Sequence, residues 1–464
     1  MSRLLVLICF LTLSAGCSLH RRSLPESPVP LPESFSVSPG QGQAGEGEQW
    51  WKAYGSAELN RLMEEVFAGN PDLEAGRARL RQARSREIIA GSGLSPSLNL
   101  GAQAGRERSA GFGDPVTGNR YALSLGAAYE VDLWGRLDSA SRASRWEAQA
   151  DALDLRGLYL SLSADAADLY FLALEQRGQL GLLDESLQSL RETLELVESR
   201  YRAGLVPALD LYQARQNLAA ARSGRPALVS ALGRTLHALS SLRGDAAGME
   251  TSAPAGALPQ APAWPEIGLP ADLLLRRPDL QAAQARLEAA DLRIAQAVAA
   301  RLPGVNLAAS LSRIRSEGPL GTVSASLWSV LLEAAAPLLD GGRRKAEVER
   351  TRALLDESLA LYRKAILTAV REVEDALAAS AASEERILLL GRQLEDSEAT
   401  FAVALARYRQ GLSEYLPVLT AQNALFSARR ELLASRRQLL SDRIALVRAL
   451  GGRWMAEPSL TRND

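Results

Sequence analysis

The chain repeats itself at one constant spacing. Pro71-Asp72-Leu73 through Leu80 returns 207 positions later as Pro278-Asp279-Leu280 through Leu287, and 8 of 14 residues match when the comparison extends to Arg84 and Asp291. The same shift aligns Pro96, Asn99 and Leu100 with Pro303, Asn306 and Leu307, and Gly135-Arg136 with Gly342-Arg343. It also superimposes Arg200-Tyr201-Arg202-Ala203-Gly204-Leu205 on Arg407-Tyr408-Arg409-Gln410-Gly411-Leu412, with 10 of 23 identities over residues 200–222. An offset held from residue 71 through Gly244 and Gly451 means one structural unit used twice with no net insertion. Whatever fold forms must be assembled from two such units.

Each copy reads as helix, strand, strand, long helix, break, helix. Leu59, Leu62, Val66 and Phe67 form an apolar stripe that predicts a helix from about Glu58 to Ser92, with its copy-two partner starting near Leu269. Leu98, Leu100, Ala102 and Ala104 then alternate with Ser97, Asn99, Gly101 and Gln103, and a second alternating run extends from Tyr121 to Val131. The polar, Gly-bearing segment from Arg106 to Arg120 is expected to join them as the turn of a hairpin. In copy two, Val305, Leu307, Ala309 and Leu311 alternate with Asn306, Ala308, Ser310 and Ser312, and a less regular run covers Val323 to Val330. Runs of about ten residues suit tilted transmembrane strands. They also suit a soluble sheet with one wet face.

No proline lies between Pro115 and Pro207 or between Pro337 and Pro417, which leaves room for uninterrupted helices from about Arg136 to Arg202 and from about Arg343 to Arg409. At 1.5 Å per residue each would be about 100 Å long. Leu180, Leu183, Leu187, Leu190, Leu194, Val197 and Tyr201 recur at spacings of three and four, and Ile387, Leu390, Leu394, Ser397, Phe401, Ala404 and Tyr408 keep that register in copy two. These are coiled-coil seams. Return helices to about Leu242 and Leu450 make two antiparallel hairpins with tips at Gly204-Leu205 and Gly411-Leu412.

The ends carry different information. Arg3, the apolar run Leu4–Leu13 and the small residues Ser14, Ala15 and Gly16 have the anatomy of an export signal over residues 1–16. Leu13-Ser14-Ala15-Gly16-Cys17 resembles a bacterial lipobox, with Ser14 where Leu is usual, so Cys17 is the expected lipidation site. An ordinary cleaved signal is the alternative. Residues 17–48, rich in Pro and Gly, read as a tether; Gly40, Gly42 and Gly45 form a GxGxxG without the strand and helix that dinucleotide binding requires. Copy one then covers 49–245, a Pro-rich linker 246–268, copy two 269–452 and a tail 453–464.

Composition narrows the chemistry. Net charge is −1, so no basic field recruits nucleic acid. Two histidines and two cysteines leave little for metal sites or for His and thiol catalysis, and no Gly-x-Ser-x-Gly or Walker sequence is present. No catalytic residue, metal site or cofactor is expected, apart from the covalent lipid on Cys17. Four strands cannot close a barrel, and an open sheet edge in lipid leaves backbone groups unpaired. If the strands enter a membrane, the chain must oligomerise.

Specific motifs now carry a resemblance: Trp50-Trp51, Asn70-Pro71-Asp72-Leu73, Tyr129-Glu130-Val131-Asp132-Leu133-Trp134-Gly135-Arg136, Arg276-Arg277-Pro278-Asp279-Leu280, Arg407-Tyr408 through Gly411-Leu412, Ala421-Gln422, and Ala449-Leu450-Gly451-Gly452 with Trp454. The sequence is similar to the outer membrane efflux proteins of the TolC and OprM family, especially the lipoprotein, NodT-like branch serving resistance-nodulation-division pumps. The resemblance implies a mixed α and β membrane protein: a homotrimer with a twelve-stranded transmembrane β-barrel, four strands per chain, above a long α-helical coiled-coil barrel. It would be lipid-anchored in the outer membrane and extend into the periplasm. It implies an exit duct passing drugs or other small molecules delivered by a periplasmic adaptor and an inner-membrane transporter. Metal-ion efflux and type I secretion use the same kind of tube. A lipid-anchored periplasmic coiled-coil scaffold is the alternative of another class.

By the same resemblance Gly204, Leu205, Gly411 and Leu412 are the tips that receive the adaptor. Arg407, Tyr408, Leu416, Thr420 and Asn423 form the periplasmic gate, with Leu416 as the apolar constriction. Thr420 and Asn423 stand where the OprM-like gate carries Asp and Arg, which implies a lock without the usual charges. Asp210 is a candidate acidic residue of the first tip.

Overall fold

The computed structural model describes residues 29–36, 49–109, 115–246, 254, 256–265, 267–319 and 321–452. The expected signal 1–16, Cys17, most of the tether, part of the linker and the tail 453–464 lie outside them. In chain order the elements are α1 (Ala57–Gly69), α2 (Pro71–Ser92), β1 (Ser97–Ser109), β2 (Val116–Val131), α3 (Arg136–Arg202), α4 (Ala208–Leu242), the short α5 (Leu273–Arg276), α6 (Pro278–Ala299), β3 (Gly304–Gly318), β4 (Gly321–Ala335), α7 (Arg343–Arg409) and α8 (Tyr415–Ala449). The long helices span the residues the proline-free stretches predict.

The expected single helix from Glu58 to Ser92 is two helices. Asn70, held extended by the following Pro71, ends α1; its Oδ1 then accepts from the backbone N–H groups of Asp72 (2.9 Å) and Leu73 (3.1 Å) and so caps α2. Copy two breaks at the same place, where Arg277 is extended before Pro278. Each break residue also reaches the end of its return helix. Asn70 Nδ2 donates to the Leu242 carbonyl at 2.8 Å, and Arg277 Nη1 donates to that of Ala449 at 3.0 Å, the equivalent atom one repeat later. The glycines that follow, Gly244 (φ 79°) and Gly451 (φ 85°), are left-handed, and a Cβ on Gly451 would lie 2.9 Å from the Arg276 carbonyl oxygen. The repeated glycine thus permits both the turn and the close approach.

The residues form two compact units. One comprises 78–153 and 281–365 together with residue 29, and holds the sheet. Strand order is β1-β2-β3-β4, antiparallel throughout. The register puts Leu98 and Leu100 beside Ala127 and Leu125, these beside Ala309 and Leu311, and these beside Val330 and Trp328, making one continuous apolar face. Asn99, Gly126 and Ser310 share the opposite face with Ser329. Strands of 13 to 16 residues replace the expected ten. The segment Arg106–Arg120 is mostly paired strand: Arg106, Glu107 and Arg108 oppose Asn119, Gly118 and Thr117, because backbone pairing continues where apolar side chains stop. β4 alternates poorly because both its faces are apolar, Trp328, Val330 and Leu332 on one and Val323, Leu327 and Leu331 on the other. Below the strands Arg136 donates to Glu130 through Nε and Nη2, and Trp134 Nε1 donates to the Pro303 carbonyl at 2.7 Å. The buried Ala150, Leu153, Ala282 and Ala285 pack with Trp146, and the three alanines let the helices approach closely.

The second unit, formed by the described residues within 30–77, 154–280 and 366–452, contains both hairpin tips. Trp51, Tyr54, Leu59, Met63 and Val66 pack on Tyr170 and Phe171 of α3 and on Leu440 and Ile444 of α8. Part of the linker is held by Trp264, whose ring lies 3.5 Å from the Arg443 guanidinium carbon. Part of the tether is held too: Phe35 is buried, and the Ser36 N–H donates to Glu374 at 3.0 Å.

Candidate gate and docking site at the hairpin tips

Both tips are closed by the same hydrogen bonds. Gly204 (φ 73°) donates to the Tyr201 carbonyl and Leu205 to that of Arg200, each at 2.9 Å; Gly411 (φ 76°) and Leu412 repeat the pair on Tyr408 and Arg407 at 2.9 Å. This is the Schellman ending, which needs glycine for its positive φ. The motif usually tucks the following apolar residue against the helix, but Leu205 and Leu412 stand 67% and 65% exposed. Glycine is explained by the turn. The leucines are left available for another surface.

Between the tips lies a core shared by the hairpins: Val197, Leu211, Ala214, Tyr408, Tyr415 and Val418. Tyr408, one of the expected gate residues, is 1% exposed and its ring packs 5.8 Å from that of Tyr415. Arg200 covers it, with its guanidinium carbon 4.8 Å from the ring centre and Nη1 donating to the Tyr408 carbonyl. Asp210 faces this cluster. Its carboxyl is raised above the ordinary range by burial and then by the Glu414 carboxylate. Tyr415 is pushed up to about 12 by burial, then by Tyr408 and Asp210. The Tyr408 and Tyr415 hydroxyls are buried without a hydrogen-bond partner.

The other expected gate residues are on the surface. Leu416 is 56% exposed, as is its copy-one equivalent Leu209 at 63%, and Arg407 is exposed. Thr420 Oγ1 donates to the Leu416 carbonyl of its own helix at 3.0 Å, and Asn423 Oδ1 accepts from Asn217 Nδ2 at 3.4 Å. The contacts of Thr420 and Asn423 are neutral. Arg215 pairs with Glu198 (2.8 Å) within the first hairpin and Arg429 with Glu398 (2.9 Å) within the second, and Arg429 also reaches Glu185 of the first at 3.7 Å. The Arg215 hydrogen bond, with Arg202 nearby, holds the Glu198 carboxyl below its usual range.

Sequence reasoning missed three residues here. Arg200 and Tyr415 lock the shared core, and Gln422 is fully buried with Nε2 donating to Ser189 (3.0 Å) and Thr193 (3.3 Å) on α3. The Ala421-Gln422 motif was the available signal. His237 is exposed, and no cluster of metal-ligating side chains occurs among the described residues.

The family model described as outer membrane efflux protein matches residues 62–245 and 269–452. The chain belongs to the outer membrane efflux proteins. Among curated relatives, the pyoverdine export outer membrane protein OpmQ of Pseudomonas putida is 32% identical over 482 residues, covering 97% of this chain and 98% of OpmQ. The toluene efflux pump outer membrane protein TtgF of Pseudomonas putida is 32% identical over 415 residues, covering 87% and 85%. Among solved structures, the outer-membrane channel OprN superimposes with a TM-score of 0.85 at 28% identity, over 94% of this chain and 100% of that one. CusC, described as forming a transmembrane channel, gives 0.82 at 26% identity, over 94% and 100%. This efflux protein is accordingly an outer-membrane channel that extends into the periplasm. No described helix is long and apolar enough to cross a membrane.

Proposed function

We propose that three copies of this efflux protein close their sheets into one twelve-stranded barrel and serve as the exit duct of a tripartite system. An inner-membrane transporter and a periplasmic adaptor deliver drugs or other small molecules to it. One observation carries the proposal: the four-stranded sheet has an apolar face of membrane type, yet β1 and β4 each keep an unpaired edge. An unpaired edge in hydrocarbon is costly, and pairing with further copies removes it. The exposed Leu205 and Leu412 are the adaptor contacts. Leu416, Thr420, Asn423 and Arg407 line the mouth, and Tyr408 supports them from within the core. Cys17 carries the lipid. Relatives named for pyoverdine, toluene and cation efflux share the architecture, so substrate choice is assigned to the transporter.

The test is export in a host lacking its own exit duct but supplied with the cognate pump and adaptor. The wild-type chain should restore it. Leu205→Asp with Leu412→Asp should abolish export while protein level and oligomer are unchanged. Full export by that variant would remove the tips from the docking role.

A further inference from the structure

The apolar sheet face does not end in neutral residues. On the side of the hairpin loops, remote from the helices of this unit, it runs into Arg313 and Arg315 on β3 and Arg106 and Arg108 on β1. The register puts Arg313 beside Leu123 and Ser326, and Arg315 beside Tyr121 and Ser324; the preceding row on this face is Leu100, Leu125, Leu311 and Trp328. The basic residues therefore begin one row beyond the apolar band. Arg315 is paired with Glu317 at 2.7 Å, and the remaining three arginines have no carboxylate within ion-pair distance among the described residues. In the rows of Arg313 and Arg315, and next to Arg106 along β1, Ala102 and Ala104 leave a hollow of about 610 Å³ bordered by Tyr121, Leu123, Arg313 and Arg315.

Arginine facing lipid is unfavourable unless an anion meets it at the interface. A guanidinium matches a phosphate bidentately, and the aromatic and aliphatic floor beside it suits an acyl chain. The two arginine groups stand on either side of β2 and are staggered along it, Arg315 level with Ala104 and Arg106 one row further on, so the nearest pair is two strand spacings across and two residues along, about 12 Å apart. That is suited to a disaccharide carrying a phosphate at each end. We propose that this outward face binds the phosphorylated headgroup of an outer-leaflet glycolipid of the lipid A type. Arg313 and Arg315 hold one phosphate, Arg106 and Arg108 the other, and an acyl chain lies over Ala102 and Ala104. The proposal rests on the sheet standing in the outer membrane as part of the duct, which turns its hairpin loops to the exterior.

Native mass spectrometry of the full-length protein, freed of lipopolysaccharide in mild detergent, tests it. Bisphosphorylated lipid A should bind the wild-type oligomer at least tenfold more tightly than either dephosphorylated lipid A or phosphatidylglycerol. Arg313→Ser with Arg315→Ser should lose that preference, and Arg313→Lys with Arg315→Lys should keep part of it. Equal binding of the dephosphorylated lipid or of phosphatidylglycerol to the wild type would overturn the proposal, as would wild-type affinity in the serine variant. The comparison of lipids uses unaltered protein, so it decides even if the serine variant fails to assemble. The same spectra report the oligomer: a monomer in the wild type would count against the duct, whereas a trimer indifferent to phosphate would count against this site alone.

Discussion

Tyr408 shows what single positions in a repeated chain conceal. Tyr201 and Tyr408 occupy one register position in the two copies, yet Tyr201 is 42% exposed and Tyr408 is buried. Which tyrosine turns inward is decided by the packing of one hairpin on the other, through Arg200, Tyr415 and Val418, and not by the local period. Tyr408→Ala should therefore lower stability by about 3–5 kcal/mol, as expected for removing a buried ring. Tyr408→Phe removes only a hydroxyl without a partner and should be neutral or slightly stabilising. Thermal unfolding of the two variants checks this. Asp210 sets a pH dependence of known sign. Its folded-state carboxyl is raised by burial and by Glu414, so the folded tip holds a proton where the unfolded chain has lost it. Stability should fall as pH rises through the window just above the ordinary carboxylate value, and recover in mild acid. Arg200, Tyr408 and Tyr415 are the other titratable groups of the cluster. Hydrogen exchange at residues 204–211 between pH 4 and 7 should show this slope, and Asp210→Asn should flatten it.

Elements were legible to the extent that their signal was periodic and long. The two helices of 67 residues could be read because nothing in their sequence stops them. The break at Asn70-Pro71 is a local event inside an otherwise helical stripe, and it became visible only with the cap on Asp72 and Leu73. Strand ends were hidden for a different reason: polar pairs such as Arg106 and Asn119 prolong the ladder without hydrophobic alternation. Two substitutions test the account of the elements. Gly451→Ala should destabilise by at least about 1 kcal/mol, because its left-handed φ is unfavourable for alanine and its Cβ would press on the Arg276 carbonyl. In α4, Pro226 sits inside a helix where copy two has Leu433, amid residues 222–227 that are all exposed. Pro226→Ala should raise stability by about 1–3 kcal/mol. Chemical unfolding monitored by helical signal would read both.

At the level of the molecule, one motif repeated at an offset of 207 residues yields two hairpins of strands and two hairpins of helices, and every strand finds a partner except along the outer edges of β1 and β4. Those two edges, with an apolar face between them, are the structural reason for expecting further copies. The duplication and the strand pattern made the channel legible, whereas the core between the hairpin tips was not, because it is built from contacts between hairpins. The direct test of the central claim is the mass of the complex extracted in mild detergent from isolated outer membranes. A stable particle of three chains is predicted, and a monomer recovered only from the soluble periplasmic fraction would contradict the duct.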